Sequence, residues 1–276
     1  MAAPKDPEFI RHLEFDSQVL GIPTARLTYD GEDEEMLLRA MKECEERGIE
    51  LLFWTAPSVS PSIEAMCKRD GHFIDGGRVV YSGTWNTEDI CSLQSAFSSS
   101  EVSVEKFTGS EVTHDLRSLA ILAGVCSRFS MDPKIKKTQM EALYGKWIEN
   151  IVSGAHAHES DPTNYDPTAV AHVMFVATHP SGKQVGFVAL KVCGEVMKGS
   201  LMSVSPAFQG CRIGTGLVAK CIQWGQDHGL TRCEIITQGQ NTPARKVYQK
   251  FGFSHTDVVG HDIHFWVKQP PSGPKP

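Results

Sequence analysis

Two short segments in the last third of the chain combine residue types that could bind a phosphate and move a proton. The first lies between an apolar stretch at 201–204 and an apolar helix predicted from Leu217 to Asp227. It reads Gln209, Gly210, Cys211, Arg212, Ile213, Gly214, Thr215 and Gly216. Glycine lets backbone N–H groups approach a ligand closely, and a helix N-terminus carries partial positive charge. Strand, glycine loop and helix in this order predict a pyrophosphate site.

Three kinds of phosphate loop can be compared with this segment. A P-loop is excluded because Gly-Lys-Ser/Thr is missing, and a dinucleotide-binding turn fits poorly because the third glycine is missing. The spacing Gln209-x-x-Arg212-x-Gly214-x-Gly216 resembles the acetyl-CoA signature of the GNAT acetyltransferase superfamily, Gln/Arg-x-x-Gly-x-Gly/Ala. Arg212 replaces the first glycine and adds a cation near the phosphates. An ordinary strand–loop–helix turn is the alternative.

The second segment resembles the next GNAT motif, Asn-x-x-Ala-x-x-x-Tyr-x-x-x-Gly-Phe. All five positions match, as Asn241, Ala244, Tyr248, Gly252 and Phe253. The resemblance implies that Tyr248 is the general acid that protonates the departing thiolate, and a phenol is protonated at neutral pH. It also implies that Asn241 orients the pantetheine arm or a water molecule. Core packing is the alternative for Tyr248 and is accepted for Phe253.

Further segments resemble one branch, the dTDP-fucosamine acetyltransferase family, over residues 10 to 267. They are Leu13 to Ser17, Ser127-Arg128-Phe129 with Asp132-Pro133, Leu143-Tyr144-x-x-Trp147-Ile148, Thr237-Gln238-x-x-Asn241 and His264-Phe265-Trp266. The resemblance implies acetylation of an amino group on a nucleotide-linked deoxysugar. The chain departs from the family at Phe15, at Arg212 and in the His-rich loop 154–167, which puts the acceptor in doubt.

Several residues are candidates for binding the two substrates. Backbone groups of Met202, Ser203 and Val204 are expected to pair with the pantetheine arm, and one N–H there could stabilise an oxyanion.

On the acceptor side, Arg128 could pair with a substrate phosphate, and a surface salt bridge is its alternative. Tyr144 and Trp147 could stack on a sugar or base, although their helical spacing favours core packing. His264 is a further acceptor-site candidate.

The general base is not identified by the sequence. His264, His172, Glu14 and Asp16 are candidates, and a water chain is an equal alternative.

Composition narrows the class of protein. The chain has 276 residues, a net charge of −6 and a pI near 6.0, which argue against a nucleic-acid surface. No apolar run approaches the roughly 20 residues that span a bilayer, and the first residues lack the apolar core of a signal peptide, so a cytoplasmic protein without membrane contact is expected.

No metal is expected either. None of the eight cysteines forms Cys-x-x-Cys. His156 and His158, with Asp161 and Asp166, could bind a metal, but a mobile surface loop is the preferred interpretation.

The predicted fold is α/β, and its parts alternate strands with helices. The family resemblance implies a GNAT fold, with a mixed central sheet splayed at the ligand strand and flanked by helices, plus an additional N-terminal α/β domain. The expected limits are a disordered leader at 1–8, the N-terminal domain at 9–86, a linker at 87–103, the GNAT domain at 104–268 and a loose tail at 269–276.

The leading functional hypothesis is an acetyl-CoA-dependent N-acetyltransferase that acts on a small-molecule amine, with a nucleotide-linked amino sugar as one candidate. A protein or peptide amine, or a polyamine, is the alternative acceptor. A non-catalytic CoA-binding module is a third hypothesis, and homodimerisation is left open.

Overall fold

The computed structural model describes residues 9–85, 102–154 and 173–268. The predicted leader and tail lie outside these residues, as do 87–101 of the predicted linker, residues 155–167 of the His-rich loop, and His172.

The first described part alternates strands and helices, as predicted. Its elements are β1 (Ile10–His12), α1 (Glu14–Leu20), β2 (Thr24–Leu27), α2 (Glu34–Glu46), β3 (Leu51–Ala56), α3 (Pro61–Asp70), β4 (Phe73–Ile74) and β5 (Arg78–Thr84). Ser60 caps α3 by accepting a hydrogen bond from the Ile63 amide, and Pro61 occupies its first turn. The seven-residue helix α1 was not predicted, because two turns are too short to establish a helical period.

The later elements form the rest of the fold. They are β6 (Ser103–Lys106), α4 (His114–Ala123), α5 (Arg128–Met131), α6 (Lys137–Ser153), β7 (Val173–Thr178), β8 (Gln184–Cys193), β9 (Val196–Val204), α7 (Ile213–Asp227), β10 (Arg232–Gln238), α8 (Thr242–Lys250) and β11 (Ser254–Trp266). Strand β11 is the longest of the described strands, and its first six residues are exposed whereas its last five are buried.

One mixed sheet joins all described strands. Its order is β1-β2-β3-β11-β5-β10-β9-β8-β7-β6, with β4 paired to β11 at the side. Strand β5 from the first part pairs with β10, and β11 from the second part pairs with both β3 and β5. The strands on either side of the expected linker are therefore hydrogen-bonded to one another, and they do not form two separate sheets.

The apolar core crosses the expected boundary as well. Phe53 of β3 belongs to the same buried cluster as Ile148 of α6 and Phe187 of β8. All three side chains are fully buried. Packing therefore fixes the first part of the chain against the helices of the second.

The sheet is splayed between β9 and β10, as expected. These parallel strands pair only from Val196–Lys198 to Arg232–Glu234. Beyond that point β9 stays paired with β8 as far as Val204, and β10 stays paired with β5 as far as Gln238. The two strands therefore diverge toward their carboxyl ends, where the sequence places the candidate site.

Among the described helices, none is both long enough and apolar enough to cross a bilayer.

Candidate functional site

The gap between β9 and β10 is one wall of the site. From Gly199 onward β9 is no longer hydrogen-bonded to β10, although each strand keeps its other neighbour. Main-chain groups on the two facing edges can therefore pair with an extended ligand, as an added strand would. Met202, Ser203 and Val204 lie on this stretch of β9, where the sequence placed the pantetheine contacts.

The glycine segment differs from the prediction in one respect. Helix α7 begins at Ile213, four residues before the predicted Leu217, so Gly214, Thr215 and Gly216 lie in its first turn and not in a loop. Glycine has a low intrinsic helix propensity, so Gly214 and Gly216 favour a loop when the sequence is considered alone. The first amides of a helix have no acceptor within it. Their N–H groups and the helix dipole together favour an anion at this end of α7.

Arg212 has a backbone conformation that favours glycine, which is the residue that the GNAT motif has at this position. Its φ of 61° is the only positive φ of a non-glycine residue in the part of the chain that the structure describes. This left-handed conformation costs an L-residue roughly 1–2 kcal/mol, whereas glycine adopts it freely. The backbone thus keeps the bend that the motif's glycine provides, and it carries an exposed cation there.

A cavity of about 670 Å³ extends from this loop into the protein. Fourteen of the predicted site residues line it. They are Arg128, Tyr144, Trp147, Met202, Ser203, Val204, Gln209, Gly210, Arg212, Ile213, Gly214, Thr215, Asn241 and Tyr248. Cys211, Gly216 and His264 are not among its lining residues.

Tyr248 lies in the cavity wall and is 5 % exposed. Its ring centroid is 5.2 Å from that of Tyr81. Burial raises the pKa of the Tyr248 phenol above its ordinary value, and Cys233, Cys221 and Tyr81 add smaller upward contributions. The hydroxyl therefore keeps its proton at neutral pH and can act as a proton donor, not as a base.

Both the oxygen and the nitrogen of the Asn241 side-chain amide form hydrogen bonds within the protein. Its Oδ1 accepts a hydrogen bond from the Ala244 amide at 3.4 Å, which caps α8. Its Nδ2 donates to Thr237 Oγ1 at 3.1 Å, which ties the helix to β10. A side-chain amide carries a second N–H, so one donor is left to meet a ligand.

The side chains of the ligand strand hold the strand in place. Ser203 Oγ donates to the Leu119 carbonyl at 2.6 Å, which fixes β9 against α4. A Cβ on Gly214 would lie 3.4 Å from Met202 Cε, an ordinary van der Waals distance, so α7 begins beside the strand. The Ser203 hydroxyl already has an acceptor, so the expected ligand contacts of this strand belong to its backbone.

His264 lies in a buried network instead of in the cavity wall. Asp132 Oδ2 accepts from His264 Nδ1 at 2.8 Å and from Trp266 Nε1 at 2.9 Å. Burial lowers the pKa of His264, and the Asp132 hydrogen bond only partly offsets this. His264 is therefore a neutral, fully buried core residue.

Glu14 and Asp16, the other base candidates among the described residues, also lie away from the cavity lining. Glu14 is exposed on α1, and Asp16 on the same helix is fully buried. Neither lines the cavity.

Arg128 does line the cavity, in a buried ion pair instead of the surface salt bridge weighed above. Its Nη1 lies 3.1 Å from Asp262 Oδ1, and its guanidinium lies 4.8 Å from the ring centroids of Phe53 and Phe129. Arg78 Nη1 approaches the same Asp262 oxygen at 3.8 Å. The sequence did not identify Arg78 or Asp262, because neither belongs to a motif and the pairing of β5 with β11 brings them together.

Within residues 9–85, 102–154 and 173–268, no three His, Cys, Asp or Glu side chains are grouped so that they could hold a metal ion.

Comparisons with known proteins relate part of the chain to acetyltransferases. Residues 140–253 match the Acetyltransferase (GNAT) family. The chain is 32% identical over 103 residues to the mycothiol acetyltransferase of Arthrobacter sp. (strain FB24), covering 34% of this chain and 30% of that protein. It is 24% identical over 140 residues to the spore coat polysaccharide biosynthesis protein SpsD of Bacillus subtilis (strain 168), covering 51% and 43%. The chain thus spans less than half the length of these relatives.

A tandem GNAT protein from the clavulanic acid biosynthesis pathway has a related fold. Its structure superimposes with a TM-score of 0.53 at 14% identity and covers 92% of this chain and 77% of that one. At this identity the similarity concerns the fold alone.

Proposed function

The chain carries an acetyltransferase domain of the GNAT family, and from this premise we propose that it transfers an acetyl group from acetyl-CoA to an amine of a small molecule. One observation carries the proposal: the gap between β9 and β10 opens into a cavity that also contains the N-terminus of α7 and the protonated Tyr248. The gap suits an extended amide chain, the N-terminus of α7 suits a pyrophosphate, and Tyr248 is the proton donor.

The residues present fit acetyl-CoA. The amides around Gly214 and Thr215 offer N–H groups to the pyrophosphate, and the exposed Arg212 adds positive charge. The facing edge of β9 from Met202 to Val204 offers main-chain groups to the pantetheine arm. Bound there, acetyl-CoA supplies the acetyl group as a thioester.

The chain contributes two actions to acetyl transfer. A backbone N–H of β9 polarises the carbonyl that the amine attacks, and loss of such a donor costs about 3–4 kcal/mol of transition-state stabilisation. Tyr248 gives its proton to the leaving sulfur as the carbon–sulfur bond breaks. The attacking amine loses its proton to water. Asp262, the one acid among the described lining residues, is a poor proton acceptor because Arg128 and Arg78 lower its pKa to about 2, against the opposing effect of burial.

For the acceptor we propose an amino sugar, with a nucleotide-linked amino sugar as the specific candidate. Tyr144 and Trp147 support this because both line the cavity, with ring centroids 5.6 Å apart, and aromatic rings stack on sugars and bases. The spore coat polysaccharide name of SpsD adds support from a relative. A protein amine or a polyamine is the alternative, favoured only by the net charge of −6.

An acetylation assay tests the proposal. The purified protein is incubated with acetyl-CoA and a panel of amino sugars, nucleotide-linked amino sugars, peptides and polyamines, and thiol release is measured. Turnover with a sugar amine is expected. Turnover with polyamines alone would move the acceptor to the alternative class. CoA binding by calorimetry without thiol release for any amine would indicate a non-catalytic module, and absence of CoA binding would refute the proposal altogether.

Replacing Arg212 separates its charge from its backbone conformation. Arg212→Gly and Arg212→Ala both remove the cation, so each is expected to weaken CoA binding by about 2- to 5-fold. Glycine accepts a φ of 61° and alanine does not, so the glycine variant is expected to be more stable than the alanine variant by about 1 kcal/mol. Calorimetry with CoA and urea unfolding measure the two effects. Wild-type CoA affinity in both variants would show that the cation does not contact the cofactor.

A further inference from the structure

Resting on the proposed function, we infer that Arg78 and Arg128 bind an oxyanion of the acceptor, so that the substrate is an amine that also carries a phosphate or carboxylate group.

The charge of the cavity wall is the first observation. Among the described residues that line the cavity, the basic ones are Arg78, Arg128, Arg212 and Lys250, and the one acid is Asp262. The chain as a whole has a net charge of −6. The cavity is therefore a positive region in an acidic protein, which attracts anions and disfavours polyamines.

The positions of these cations divide them into two pairs. Arg212 precedes α7 and Lys250 ends α8, and both elements follow the splayed strands. Arg128 begins α5 and Arg78 begins β5, which border the cavity from other parts of the fold. The first pair lies on the elements that the GNAT motifs assign to acetyl-CoA. The second pair lies on elements that those motifs do not include, so we assign it to the acceptor.

The two arginines are held rigidly. Their side chains are 8% and 10% exposed, and both approach Asp262 Oδ1. Thr55 Oγ1 donates to the same oxygen at 2.8 Å, which orients the carboxylate. The rings of Phe53 and Phe129 lie 4.8 Å from the Arg128 guanidinium and limit its movement.

This rigidity favours the binding of a phosphate or carboxylate group. A guanidinium presents a fork of N–H donors that matches the oxygens of a phosphate or carboxylate, and donors already fixed in place lose little entropy on binding. Because two guanidinium groups share one carboxylate, this part of the cavity wall keeps a net positive charge that attracts an oxyanion. Asp262 then acts as a positioning residue that orients the arginines and weakens the field that the ligand meets.

Anion binding to the CoA-saturated protein tests the inference. Saturation with CoA fills the pyrophosphate site, so inorganic phosphate and acetate, titrated by calorimetry, report only on the remaining cations. Arg128→Lys keeps the charge but loses the fork and is expected to weaken anion binding about 10-fold. Arg69→Lys, on the exposed end of α3, is the matched control and should change nothing.

Turnover gives a second readout. With glucosamine 6-phosphate and glucosamine as a matched pair, the wild-type protein is expected to prefer the phosphorylated amine in kcat/KM, and Arg128→Lys to reduce that preference about 10-fold. A purely structural role would lower both values equally. Arg78→Lys serves as the second variant if thermal melting shows that Arg128→Lys is unfolded.

The outcomes separate this inference from the proposed function. If CoA does not bind, the proposed function fails. If CoA binds but phosphate and acetate do not, or if they bind equally to the folded arginine variants and the wild type, the inference alone is overturned.

Discussion

Replacing Tyr248 by phenylalanine is expected to lower kcat by at least about 100-fold and to leave the affinity for CoA unchanged. General acid catalysis by a positioned side chain is worth about 10²- to 10⁴-fold. Phenylalanine keeps the ring contacts with Tyr81 and Phe253 and removes only the proton donor. Thiol release measures turnover, and calorimetry measures CoA binding.

Tyr29→Phe is the matched control. Tyr29 stacks on Trp54, and it is not among the residues that line the cavity. This variant loses the same phenolic oxygen and should keep wild-type turnover. Full activity in Tyr248→Phe would remove Tyr248 from the mechanism, whereas loss of activity in both variants would point to a general structural effect.

The pKa of Tyr248 gives the same prediction a pH dependence. Burial raises this pKa, so the acid form persists above the ordinary phenol value near 10. The Tyr248 proton is therefore not expected to limit kcat between pH 7 and 9. In that range the rate should rise or stay level, since a larger share of the amine is uncharged. A fall in kcat centred between pH 7 and 9 in wild type, missing in Tyr248→Phe, would contradict this assignment.

The parts of the site that sequence predicts are those that lie close together along the chain. Gln209 to Gly216 and Asn241 to Phe253 each occupy one loop and one helix, so their spacing alone fixes their relative positions. Their placement in one cavity agrees with the motif interpretation. Helix α7 nevertheless starts at Ile213, earlier than predicted, so Gly214 and Gly216 are helical despite the low intrinsic helix propensity of glycine.

What sequence could not predict depends on contacts between distant strands. Arg78 and Asp262 come from β5 and β11, and the pairing of these strands brings the two residues together beside Arg128 of α5. His264 was a candidate for the acceptor site because it lies in a family motif. The structure places it on β11 in the core, where its neighbours are Asp132 and aromatic rings.

This buried network leads to a second prediction, on stability. Asp132→Asn is expected to reduce the free energy of unfolding by about 2–4 kcal/mol at pH 7.5. The carboxylate accepts hydrogen bonds from His264 and Trp266, and a bond to a charged group contributes about 1.5–3 kcal/mol. Asp132 Oδ1 also accepts from the Lys134 amide at 3.0 Å, and an amide has only one oxygen, so asparagine cannot accept all three bonds. Urea unfolding measures the loss, and Asp227→Asn, on the exposed end of α7, should change stability by less than about 0.5 kcal/mol.

The deficit is also expected to widen as the pH falls from 7.5 to 5.5. Burial holds the pKa of His264 below its ordinary value. Below about pH 6.5 the unfolded chain therefore binds a proton at this histidine that the folded chain does not bind, and the free energy of unfolding falls. Asp132 partly offsets this by raising the pKa of His264, and its removal makes the acid loss larger. The pKa of Asp132 is itself lowered, so its own protonation lies below this range. A deficit that stayed constant between the two pH values would show that the carboxylate does not influence the His264 proton, and a deficit below about 1 kcal/mol would show that the network does not support the fold.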